Sequence, residues 1–139
     1  MKKSTKKFLA KRKQNPHEDI IMPEEPRAIL VAMSTKKQPL EKTEEFLNEL
    51  EFLASTANIT TVRRFIQRLD RPDSKTLVGK GKLEEIFACI EAESIDTVIF
   101  DDDLTPSQIK NIENMLGGKK VYDRSLLILD IFLKRAQTA

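Results

Sequence analysis

Two stretches of the sequence carry residues that could bind or transfer charged groups. The first is Gly79-Lys80-Gly81-Lys82, directly ahead of a helical apolar pattern. Glycines let backbone amides come close to a phosphate, and helix-start amides with two lysines favour an anion. A tight turn into the helix, with both lysines in water, accounts for the same residues. The segment before it adds Arg68, Arg71 and Lys75 against Asp70 and Asp73. Together these make a mildly basic surface suited to an RNA backbone. The second stretch is acidic. Asp101-Asp102-Asp103 and Asp123-Arg124 each follow a strand pattern, which puts Asp101, Asp103, Asp123 and Arg124 at the carboxyl edge of a sheet. Open α/β sheets bind ligands at that edge. A Mg²⁺ site or a phosphoacceptor aspartate uses such acids, but helix-dipole compensation and an Asp–Arg pair need them too.

Several chemistries lack their residues. His17 is the single histidine, which argues against a histidine triad or a multi-histidine metal site. Cys89 is the single cysteine, so an internal disulfide and a cysteine-rich zinc site are excluded. Its place among Leu83, Ile86, Phe87 and Ile90 reads as a thiol at the edge of a core. There is no G-x-x-x-x-G-K-[ST] motif, and no G-x-G-x-x-G follows the first strand pattern, whose exit reads Ser34-Thr35-Lys36-Lys37-Gln38. A receiver-type phosphoacceptor needs an acidic pair after its first strand, where this chain has Met33-Ser34. We therefore assign no catalytic residue and no metal ligand, and expect no cofactor in this chain.

The elements that position these residues alternate four times. Residues 28–33 form a continuous apolar run, the pattern of a strand buried on both faces. Phe46, Leu47, Leu50, Leu53, Ala54 and Ala57 recur at helical spacing, and Asn58 can end that helix in the left-handed conformation. Residues 59–67 are β-branched but carry Arg63 and Arg64, as suits an edge strand. The second helix has its apolar positions at Leu83, Ile86, Phe87 and Ile90, and residues 97–100 make a second central strand. Thr105-Pro106-Ser107-Gln108 combines an N-cap, a first-turn proline and a capping box. Gly117-Gly118 stops that helix, residues 120–123 form a short edge strand, and residues 125–137 form the last helix. Two central and two edge strands in βα units predict a four-stranded parallel sheet of order 2-1-3-4 with helices on both faces, a flavodoxin-like half.

Charge is uneven along the 139 residues. Seven of the 24 basic residues lie within residues 1–13 with no acid, which leaves 17 basic against 22 acidic residues elsewhere, a net −5. A basic arm on a mildly acidic body suits contact with a polyanion, nucleic acid above all, or a solubilising tail. We read residues 1–26 as a basic disordered tail and linker and residues 27–139 as one α/β domain. No apolar run reaches the roughly 18–20 residues that span a bilayer, and Phe8-Leu9-Ala10 is too short for a secretory signal. Lone-cysteine usage points to the cytosol.

Four stretches, in order, resemble the N-terminal domain of HflX-type GTPases. They are residues 49–57, Val78-Gly79-Lys80-Gly81-Lys82-Leu83-Glu84-Glu85, Phe100-Asp101-Asp102-Asp103-Leu104-Thr105-Pro106-Ser107-Gln108, and residues 121–132 from Val121-Tyr122-Asp123-Arg124-Ser125 to Ile131-Phe132. The resemblance covers about residues 27–138. Asn58 stands where glycine is usual, Leu77 where tyrosine is common and Ser125 where threonine is common. It implies a cytoplasmic, ribosome-associated GTP-binding protein that binds the large ribosomal subunit and can separate the subunits. This domain would help dock on ribosomal RNA and support a helical linker. GTP and Mg²⁺ belong to a GTPase domain whose motifs this sequence lacks, so no hydrolytic residue is carried over. An ATP-linked, RNA-remodelling role has been attributed to this region in some members, and no ATPase motif here matches it. The competing reading is a small nucleotide- or phosphate-binding enzyme working at the carboxyl edge of the sheet.

The last helix adds an expectation. Seven of the eight residues 126–133 are apolar, with Asp130 the exception. One side must pack on the sheet, and Leu126, Phe132 and Leu133 must meet something else. The candidates are the linker or GTPase domain of an intact protein, or a second copy of the fragment.

Overall fold

The computed structural model describes residues 25–138; the basic arm of residues 1–13 and His17 lie outside the described residues. Four strands and four helices alternate: β1 (Arg27–Ser34), α1 (Leu40–Thr56), β2 (Thr60–Arg68), α2 (Lys80–Glu93), β3 (Thr97–Phe100), α3 (Pro106–Met115), β4 (Lys120–Asp123) and α4 (Arg124–Thr138). All three strand pairings are parallel, and the sheet order is β2-β1-β3-β4. This is the order and class expected from the sequence.

Alternation along β1 sorts the core into two layers. Ile29, Val31 and Met33 face Leu83, Ile86 and Ile90 of α2 and Ile112 of α3. Ala28, Leu30 and Ala32 face Leu47, Leu50 and Ala54 of α1 and Leu127 of α4. Each fully buried Leu or Ile contributes about 1.5–3 kcal/mol, so β1, buried from Ala28 to Ser34, anchors both layers. Cys89 packs at the margin of the first layer, where burial pushes its thiol pKa up.

The edge strands manage their charges as the sequence suggests. Arg63 and Arg64 of β2 point to opposite faces and pair with Glu93 of α2 (3.1 Å) and Glu51 of α1 (2.7 Å). Arg68, one residue beyond the strand expected over residues 59–67, is the last residue of β2. At the α3 start, Thr105 and Gln108 form the capping box. Asn58 sits at φ 62°, and Gly117 and Gly118 follow α3 at φ 73° and 82°.

Register sets the carboxyl edge. Val31 pairs with Phe100, and Phe100 with Asp123. The next residues of β3 and β4, Asp101 and Arg124, therefore emerge side by side.

Candidate functional site

The Gly-Lys-Gly-Lys stretch opens α2, with Gly79 as its N-cap at φ −72°. The Gly79 N–H donates to Gln67 Oε1 on β2 (2.7 Å). Neither glycine is required by a left-handed backbone, and a side chain on Gly81 would meet nothing within 4 Å. Glycine in a helix is worth roughly 0.5–1 kcal/mol less than alanine, so Gly81 leaves an open backbone surface with no packing reason for it.

The two lysines serve different surfaces. Lys82 Nζ lies 5.9 Å from the Phe65 ring centroid and 3.2 Å from Glu85 Oε1. Lys80 instead lines a cavity of about 340 Å³ with Lys75, Asp73, Thr76, Asn111, Asn114 and Met115. Neither Lys75 nor Lys80 has an ion-pair partner within 4 Å among the described residues. Arg68, at the end of β2, and Arg71, on the connection between β2 and α2, are exposed, but neither lines that cavity.

This connection is tightly built. Asp73 and Leu77 exchange two backbone hydrogen bonds of 2.8 Å, holding Leu77 at φ 68°. That conformation costs a non-glycine residue roughly 1 kcal/mol, and burial of Leu77 in the core helps offset it. Gln108 and Asn111 of α3 donate to the carbonyls of Ser74 (3.4 Å) and Lys75 (3.1 Å).

The acids at the carboxyl edge are engaged within the fold. Arg124 donates through Nε to Asp101 Oδ1 (2.9 Å), through Nη2 to the same oxygen, and to the Phe46 carbonyl (3.0 Å). Asp103 accepts from Ser125 Oγ (3.2 Å). Asp123 is buried and accepts the N–H of Leu104 (2.9 Å) and of Leu126 (2.8 Å), which caps α4. Asp102, which sequence reasoning left without a role, accepts the Met33 N–H at 3.3 Å. Burial, reinforced by the neighbouring Asp101 charge, raises its pKa above the ordinary carboxylate value. Among the described residues no group of three or more His, Cys, Asp or Glu is arranged to hold a metal ion.

Around its buried Leu127, α4 exposes apolar side chains on two sides. Leu126, Leu129 and Leu133 line a groove with Ile109, Val121 and Tyr122. Ile128 and Phe132, four residues apart, form a second strip, with Phe132 66% exposed. Among the described residues no helix is long and apolar enough to cross a membrane. The sequence reading missed Asn111 and Asn114; their spacing of three on one face of α3 was the available signal.

Comparison with known proteins matches residues 44–133 to the family described as GTP-binding GTPase N-terminal. The GTPase HflX of Flavobacterium psychrophilum is 48% identical over 113 residues, covering 81% of this chain and 27% of the relative. That of Caldanaerobacter subterraneus is 45% identical over 112 residues, covering 81% and 25%. The chain thus spans about a quarter of the length of the curated relatives it matches. Among solved structures, a GTP-binding protein from Sulfolobus solfataricus, in complex with GDP, superposes with a TM-score of 0.58 at 30% identity, covering 77% of this chain and 30% of that one. The four ordered motifs, the sheet order and the matched span agree: the chain belongs to the GTP-binding GTPase N-terminal family and carries an N-terminal domain of the HflX type.

Proposed function

We propose that this domain docks an HflX-type GTP-binding protein on RNA of the large ribosomal subunit, in the cytoplasm, and regulates the engagement that lets the intact protein separate the subunits. In this reading GTP and Mg²⁺ are handled by a GTPase domain rather than by residues of this chain, and the domain itself turns over neither GTP nor ATP. The apolar sides of α4 are covered by the protein's own helical linker and GTPase domain, and by a second copy when these are lacking.

One observation carries the docking reading. Among the described residues neither Lys75 nor Lys80 has an acid within 4 Å, and both line one cavity, whereas Lys82 and Arg124 are held by acids of the same fold. Two ammoniums lining one open cavity at the start of α2 are what a phosphate chain would meet. The competing enzyme reading needs Asp101, Asp103 and Arg124 free for a ligand, whereas Arg124 is bonded to Asp101 and Asp103 accepts from Ser125.

Co-sedimentation with isolated large ribosomal subunits tests the proposal. Wild-type chain is expected to pellet with the subunits, and the Lys75→Ala, Lys80→Ala double variant to stay largely in the supernatant. Equal pelleting of the two would refute it. A phosphate-release assay with GTP and ATP accompanies this, with no turnover expected.

A further inference from the structure

The cavity holding Lys75 and Lys80 also presents groups that a bare phosphate would not select. Asp73 accepts the N–H groups of Lys75 (2.8 Å) and Thr76 (3.2 Å) on Oδ1. Those bonds hold its pKa below the ordinary carboxylate value, so it is charged at neutral pH. A fixed carboxylate repels a further anion but accepts from a hydroxyl or an amine. Asn111 donates to the Lys75 carbonyl and keeps its amide oxygen for a ligand. Asn114, one turn further along α3, keeps both donor and acceptor free among the described residues. Met115, 45% exposed, adds a polarisable apolar surface. The bonds from Gln108 and Asn111 to the 73–77 connection fix the two walls to each other, so the cavity is preformed.

We infer that this cavity takes one unstacked ribonucleotide of an RNA strand. Its flanking phosphates lie at Lys75 and Lys80. Its base rests on Met115 with its edge against Asn111 and Asn114, and the ribose 2′-hydroxyl donates to Asp73. The inference rests on the docking reading and narrows it from RNA backbone in general to single-stranded RNA. The volume, about 340 Å³, is that of a small-ligand site. Duplex RNA keeps its base edges within its grooves, whereas single strands present them to protein side chains. A free nucleoside di- or triphosphate offers the same base and sugar. It would also crowd several phosphates against a wall that contains Asp73, where a strand brings one phosphate per nucleotide.

Fluorescence anisotropy of the 139-residue chain tests this with a labelled, unstructured RNA of about 12 nucleotides, its duplex, and the DNA strand of the same sequence. The RNA single strand is expected to bind most tightly. Asn114→Ala, at an exposed position without partners among the described residues, is expected to weaken binding of that strand by roughly threefold to tenfold, the worth of one or two hydrogen bonds, and to leave duplex binding unchanged. Equal affinity for duplex or DNA, or an Asn114→Ala variant that binds the RNA strand like wild type, overturns the cavity's role. Displacement of the strand by micromolar AMP overturns the choice of a strand over a free nucleotide. If the RNA strand or the duplex still binds and Lys75→Ala with Lys80→Ala abolishes that binding, the docking reading survives these failures. If no RNA binds at all, both readings fall together.

Discussion

Lys80 and Lys82 stand two residues apart in one glycine-flanked turn, yet they face different surfaces. Lys82 lies over the Phe65 ring and against Glu85, while Lys80 lines a cavity with Lys75 across from α3. A helix turns about 100° per residue, so two steps carry a side chain about 200°, to the opposite side of the helix. The motif is therefore two half-sites, and only one of them is open to an anion.

Asp123→Ala is expected to destabilise the fold by about 2–4 kcal/mol. The Asp123 carboxylate accepts two N–H groups, of Leu104 and Leu126, and joins the β3–α3 connection to the first turn of α4. Alanine leaves the buried Leu104 donor unsatisfied and removes the α4 cap. Urea denaturation measures this as a lower midpoint at unchanged slope.

Asp102→Asn is expected to stabilise the domain at neutral pH. The raised pKa means the folded chain holds the Asp102 proton more tightly than the unfolded chain does. Stability from this group therefore falls as pH rises from the ordinary value of 3.8 through the raised one. Asparagine removes that penalty and keeps an acceptor for Met33. Thermal melts should show a higher Tm for the variant at pH 7, with the difference closing in acid below 3.8.

Phe132→Glu is expected to abolish self-association of the isolated chain. Leu126, Ile128, Leu129, Phe132 and Leu133 are each between 37% and 66% exposed on one helix. Apolar patches of that kind mark interaction sites. Light scattering at high micromolar concentration should give a dimer for wild type and a monomer for the variant, with unchanged circular dichroism. A monomeric wild-type chain would show that no second copy covers this helix.

The fold was legible because its signals are local. The unbroken apolar run of β1, the charges of β2 and the capping box before α3 each fix one element, and the sheet order follows from which strands tolerate polar residues. The expected Asp–Arg pair also emerged, as Asp101 with Arg124, because register places residues after Phe100 and Asp123 side by side. The rest depends on contacts between distant segments. Nothing near Lys82 in sequence announces Phe65, and nothing near Lys75 announces Asn111, 36 residues away. The burial of Asp102 within a run of three acids was equally hidden, since its partner Met33 lies on β1.

The most direct test of phosphate contact through Lys75 and Lys80 is the salt dependence of binding to large-subunit ribosomal RNA. Each lysine that neutralises a phosphate adds about 0.7–0.9 to the slope of log K against log salt. The Lys75→Ala, Lys80→Ala variant should lower that slope by roughly 1.5, while Lys82→Ala, which removes an ammonium already paired with Glu85, leaves it nearly unchanged. A double variant with the wild-type slope, or a Lys82→Ala variant with the larger loss, would contradict the account.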